Sequence, residues 1–337
     1  MTKLIFQALF PLFFVIFLLS CTKDEVKNIP KVSTEGISLD IRHFGQSLLA
    51  LDTSKIGTEI VQLETDYPLF FKKIFLPRIL PVLQDPKIFA QFIKAPSVRN
   101  LLDTCRMISN EFSEEEQAFK EAFAFYKHYM PERKIPKIVT FSSEYTLGNF
   151  TYEDSIVGIG LDFFLGHGHA GYNLDFFPNY IQRTMSREYI VSKTVKTIVN
   201  DLVGPPGGSK LIDFMIANGK VIYILDHILP REQDSIKLEY SQLQVEWCKE
   251  NEKLIWAFLL EEELLYSTQQ KEFKKYIDHS PNSPGMPDVS PGRTANFIGW
   301  KVIEAYMKRY PETSFEDLLK LKDAQEILTK SKYKPRR

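Results

Sequence analysis

Histidine is scarce in this chain of 337 residues, and no two of its six histidines stand four apart. A zinc hydrolase of the HExxH kind needs two imidazoles one helical turn apart so that both reach one metal, and that spacing is missing. A serine hydrolase built on a nucleophile elbow lacks support as well, because no G-x-S-x-G occurs. The three cysteines are too few for a disulfide framework, and none sits in a recognisable catalytic context. Cys105 and Cys248 lie on separate helical segments and read as buried small hydrophobes rather than as a bridge. There is no basic excess: 42 Lys and Arg face 43 Asp and Glu, for a formal charge of -1. Phosphate neutralisation needs a clustered basic surface, so nucleic acid is not an expected partner, and the closing "KSKYKPRR" reads as a solvated terminus. No repeat recurs along the chain. "GPPGG" at Gly204 to Gly208 lacks the Lys and Ser/Thr of a phosphate loop and reads as a helix terminator, so no cofactor is expected.

What is present is the balance of a folded protein, 44% hydrophobic and 25% charged, preceded by a distinctive leader. After Lys3 runs "LIFQALFPLFFVIFLL", apolar and free of charge but short for a membrane span, with Ser20 and Cys21 immediately behind it. Leu18, Leu19, Ser20 and Cys21 resemble a bacterial lipobox, in which the signal is removed and the new N-terminal Cys is lipidated. An ordinary secretory signal with an incidental Cys is the plainer alternative. The expectation is a signal over 1–20, a lipid anchor at Cys21 and a polar tether over 21–35. Within the tether, Lys23, Asp24 and Glu25 resemble a surface-export signal of Bacteroidetes lipoproteins, though three residues of linker charge would look the same.

The rest, 36–337, reads as one helix-rich domain. From Gly36 to Pro136 the texture is helical. In "FSEEEQAFKEAFAFYKHYM", Ser113 and Glu116 suggest a capping box, and Phe119, Ala122, Phe123 and Tyr126 recur at helical spacing as core. "IVTF" and "SIVGIGLDFFL", between Ile138 and Leu165, are β-branched and aromatic runs that read as a small sheet. Helices resume after Pro178. One over Val191 to Leu202 carries the stripe Val191, Val195, Ile198, Val199 and Leu202, and the next is "LIDFMIANGKVIYILDHIL". A long helix is expected over "QLQVEWCKENEKLIWAFLLEEELLYS", with Glu261 to Glu263 as a solvated edge. A further helix ends before Pro311, and Ser314 with Asp317 caps a final one. The resulting fold class is α+β, predominantly helical. His167 and His169 in "GHGH", with Asp162 or Asp175 nearby, are the histidines able to converge on a metal. Neither the ligand count nor the spacing is closed, and exposed turn residues are the plainer reading.

Three segments carry a resemblance: "FPNYIQRTMSREYI" (Phe177 to Ile190), "WCKENEKLIWAFLLEEELLYS" (Trp247 to Ser267) and the closing helices from Ser290 to Pro335. With the lipobox and "ALDTS" near Leu51, they resemble the gliding-motility lipoprotein GldB family of Bacteroidetes over essentially the whole mature chain. The C-terminal half is more distantly similar to predicted zinc peptidases of the HExxH class, which implies a zincin-like domain. That likeness places the motif at Lys196 to Asn200, with Lys196 and Asn200 at the ligand positions and Asn218 where the acidic ligand of the next helix belongs. An ammonium has no lone pair for zinc and repels a dication, so the likeness implies a degenerate site with no metal. The groove built by these helices is then expected either to persist as a peptide-binding cleft or to have filled with side chains. The resemblance implies a non-catalytic outer-membrane lipoprotein, facing the periplasm or the cell surface, that works with other proteins of the gliding and type IX secretion apparatus. A membrane-anchored hydrolase or metallopeptidase with an unrecognised site is the alternative.

Overall fold

The structure, a computed structural model, describes residues 29–79 and 85–335. Cys21, the apolar leader and most of the tether lie outside the described residues. One compact unit runs from Val32 to Arg337 and holds every described helix and strand.

Its centre is a four-stranded sheet of β1 (Ile41–His43), β2 (Lys137–Phe141), β3 (Phe150–Tyr152) and β4 (Ile156–Gly160), in the order β1-β2-β4-β3. β1, β2 and β4 are parallel, and β3 closes the edge antiparallel to β4. Parallel pairing demands long crossovers, and the helices between β1 and β2 supply one. Both faces of the sheet are covered, which is why β2 and β4 read as continuous apolar runs rather than alternating ones. Val139, Phe141, Phe150 and Ile156 pack into an aromatic core with Phe44, Phe70, Phe71, Phe75 and Phe89 of the N-terminal helices. Ile138, Val157 and Ile159 face the opposite way, into the larger core of the C-terminal helices. Gly158 is dictated by its cross-strand partner: a Cβ there would sit 2.2 Å from the Phe150 ring.

The larger core is organised around the helix Leu211–Ile228, which is apolar on nearly every side and therefore central. It meets the helix Thr294–Arg309 at Gly219 and Gly299, where a Cβ on Gly299 would fall 1.9 Å from the Met215 carbonyl oxygen. The helix Ile190–Val203 packs on the first of these and lies beside β3, to which Asn149 ties it through a 3.1 Å bond to Thr194 Oγ1. It stops where expected, at Gly204, whose φ of +67° a side chain would resist. Val195, Ile198 and Val199 of its stripe are buried, while Val191 and Leu202 are half-buried at its margins.

The class expected from the sequence holds: mainly helical α+β with a small sheet. Three local expectations fail. The capping box at Ser113 does not form, because Phe112 takes the N-cap and Ser113 begins the helix; Glu114, Glu115 and Glu116 instead set negative charge in its first turn. The long helix is two, Gln242–Glu250 and Glu252–Glu261. They meet at Asn251, whose side-chain amide and backbone N–H both donate to the Trp247 carbonyl at 2.9 Å. β1 falls in a stretch of helical texture, and its three residues, Ile41 to His43, are too few to show a strand's period.

Candidate functional site

The polar face of the helix Ile190–Val203 carries Lys193 and Lys196, one turn apart and therefore on one side. Both reach Glu239, which follows the short helix Asp234–Leu238 and is nearly inaccessible. Lys196 Nζ lies 2.5 Å from Glu239 Oε1, and Lys193 Nζ 3.8 Å from Oε2. His279 Nε2 stands 3.5 Å from the same Oε2. A third cation, Arg293, locks the backbone of this turn: its Nη2 donates to the carbonyls of Leu238 at 2.9 Å and Glu239 at 3.2 Å. Its guanidinium covers the Tyr240 ring, and Tyr240 donates its hydroxyl back to the Gly292 carbonyl at 2.8 Å. Glu239 and Arg293 both adopt left-handed backbone, φ +56° and +64°, a conformation that costs an ordinary residue about 1 kcal/mol. That cost is borne where the two residues clasp each other.

Burial alone would raise the Glu239 carboxyl. Lys196, Lys193, Arg293 and His279 outweigh it and hold it well below the usual carboxylate range. Burial pushes the Lys193 ammonium down, as do its cationic neighbours, with Glu239 opposing. Burial and Arg293 together depress His279, so its imidazole is neutral at pH 7. The centre thus gathers two lysines and an arginine around one carboxylate, with a neutral histidine beside them.

Of the motif positions expected from the sequence, Lys196 stands in this cluster. Asn218 joins it indirectly: its amide donates to Asn296 Oδ1 at 2.9 Å, and Asn296 sits one turn beyond Arg293. Asn200 is apart, exposed one turn further along its helix. The donor set does not fit zinc, since the groups that converge are ammoniums and a guanidinium around a single carboxylate already paired. Among the described residues, no three His, Cys, Asp or Glu side chains are grouped as metal ligands would be. Two shallow clefts are found elsewhere, one between β3 and the end of the helix Ile190–Val203 (Thr151, Glu153, Asp201, Leu202), the other beside Cys105 and Ser142. Neither is lined by Lys196, Asn200 or Asn218.

The GHGH loop divides in the same way. His167 is exposed, while His169 Nε2 is 3.2 Å from the Tyr145 hydroxyl. Asp162 is fully buried, its Oδ2 accepting the backbone N–H groups of Tyr145 at 2.7 Å and Ser143 at 2.9 Å. Burial nonetheless pushes its carboxyl up to about 6. Asp175 lies exposed, its backbone N–H turned back to Asn173. The Ser143 hydroxyl accepts from the Leu147 N–H at 2.9 Å and reaches the Leu147 carbonyl at 3.0 Å, closing a turn, with Asp162 Oδ2 3.3 Å away. Cys105 and Cys248 are both free and buried, as small hydrophobes would be.

Sequence reasoning found Lys196 and missed the groups it meets. Glu239, Lys193, His279 and Arg293 come from four separate segments, and a lone Glu within "KLEYSQ" has no periodicity to mark it. The usable signal was Glu239 itself, an acid between Leu238 and Tyr240 where the flanking residues are core.

Fold and centre together define a helix-rich α+β domain whose polar heart is an ion cluster. The family model described as gliding motility protein GldB matches residues 25–335, and the chain belongs to that family. No curated protein and no solved structure matches the chain. Among the described residues, no helix is long and apolar enough to cross a membrane.

Proposed function

We propose that this protein is a lipid-anchored, non-catalytic component of the gliding motility and type IX secretion apparatus, held at the outer membrane through Cys21. Membership of the GldB family supports the motility role. The observation that carries the non-catalytic reading is the Lys196–Glu239 pair at 2.5 Å. On the likeness to zinc peptidases, Lys196 would stand where such an enzyme holds an imidazole, and here its ammonium pairs with a carboxylate instead. Asn218, which the same likeness would put at the acidic ligand position, donates to Asn296. A protein of this kind acts by position and contact, so its anchor matters more than any reacting group. In a motile strain, replacing the chromosomal copy by Cys21→Ser should abolish colony spreading and release an unprocessed chain from the membrane fraction. Normal spreading by a strain lacking the protein altogether would overturn the motility role. Lipid-labelled, membrane-bound Cys21→Ser protein would overturn the anchor.

A further inference from the structure

Three basic side chains surround one carboxylate in the ion cluster, and that imbalance favours a second anion. Lys193, Lys196 and Arg293 face Glu239, while His279 is held neutral by burial and by Arg293. Glu239 is the carboxylate that meets both Lys193, at 3.8 Å, and His279, at 3.5 Å. Lys193 compensates by donating to Thr184 Oγ1 at 2.8 Å, a neutral partner that cannot balance its charge. The cluster is closed on the Glu239 side, whose side chain is 5% exposed. It opens on the other, where Lys193 is 24%, Lys196 20% and His279 43% exposed. Basic side chains in excess over a single carboxylate, and partly withdrawn from water, suit an oxyanion.

We propose that the partly exposed face formed by Lys193, Lys196 and His279 over the buried Glu239 is a binding site for a small oxyanion, a carboxylate or a phosphate group. Glu239 is the resident counter-ion that fixes the cations in place. The two ammoniums, one turn apart on one helix, supply point charges that accept either oxyanion geometry, and the neutral imidazole supplies one further polar contact. The site belongs to this chain's own ion cluster and stands whether or not the protein serves motility.

The test uses the purified full chain in detergent, with its thermal midpoint followed against inorganic phosphate and against acetate. Ionic strength is matched throughout with chloride, because unspecific screening would otherwise mimic binding. The expected result is a saturable rise in the midpoint at millimolar oxyanion, with the stronger of the two probes naming the ligand class. Lys193→Met should raise the half-saturating concentration about tenfold or more, and Lys193→Arg, which keeps the charge, should restore most of the binding. Glu239→Gln removes the resident anion, so it should bind the probe more tightly than wild type. The proposal is overturned if wild type shows no saturable shift, if wild type and Lys193→Met respond alike, or if Glu239→Gln binds no more tightly. Should Lys193→Met fail to fold, the comparison of Glu239→Gln with wild type decides alone.

Discussion

Removing the Glu239 charge while keeping its shape should be among the most damaging polar substitutions in the molecule. In Glu239→Gln the amide fills the same space, but Lys196 at 2.5 Å and Lys193 at 3.8 Å lose their counter-charge, and Arg293 remains beside them. Deleting one partner of a buried ion pair costs about 3–5 kcal/mol, because the other charge stays desolvated. The lysines retain some water, which argues for the low end, about 3 kcal/mol, or a fall in Tm of about 5 °C for a domain of this size. Urea unfolding followed by circular dichroism reads this directly. Lys196→Met should cost less, since Lys193, Arg293 and His279 still face Glu239. The double variant should be more stable than the sum of the two losses, as residues in one network are not additive. The same pair sets an acid limit. A carboxyl whose folded pKa lies well below the ordinary 4.5 contributes stability that is complete above that value and lost as pH falls toward the folded one. Wild type should therefore lose stability below about pH 4.5 more steeply than Glu239→Gln. A Glu239→Gln protein within about 0.5 kcal/mol of wild type, the range of ordinary surface changes, would show that the cluster does not hold the fold in this way.

Other consequences are as concrete. Gly299→Ala brings a Cβ to 1.9 Å from the Met215 carbonyl oxygen, so two central helices must part, at a cost of about 3 kcal/mol in urea unfolding. Asp162 titrates in the opposite sense to Glu239: its folded pKa is raised from 3.8 to about 6, so its contribution is fully present below 3.8 and lost as pH rises through about 6. Asp162→Asn should flatten the pH dependence of stability across that window, and parallel profiles for the two proteins would contradict this. Burial pushes the thiols of Cys105 and Cys248 up, so both should resist a thiol reagent at pH 8 until the chain is unfolded; fast labelling of the native protein would show the core to be open.

The sheet and the central helices are legible in the sequence because their signals are strong and local. "IVTF" and "SIVGIG" are buried on both faces, so no alternation is needed to see them, and Gly204 marks the end of the Ile190–Val203 helix. β1 and β3 leave no such trace, because each is three residues long and owes its existence to a neighbouring strand rather than to propensity. The Ser113 capping box fails because Phe112 prefers burial in the core to exposure outside the helix, which draws the helix start back by one residue. Of the centre, Lys196 is legible as a residue of the wrong chemistry for zinc. Its meaning is not, because Glu239 and Arg293 come from distant segments and take positive φ themselves, where sequence would expect a glycine.

If an ion pair has taken the place where a zinc hydrolase would hold its metal, the chain should carry no zinc. Purification of the full chain from cells grown with added zinc, followed by inductively coupled plasma mass spectrometry, measures this without reference to any activity. Zinc should fall far below one atom per chain and be unchanged by Lys196→Met or Asn218→Ala. Stoichiometric zinc that survives dialysis and is lost in Glu239→Gln would contradict the non-catalytic reading.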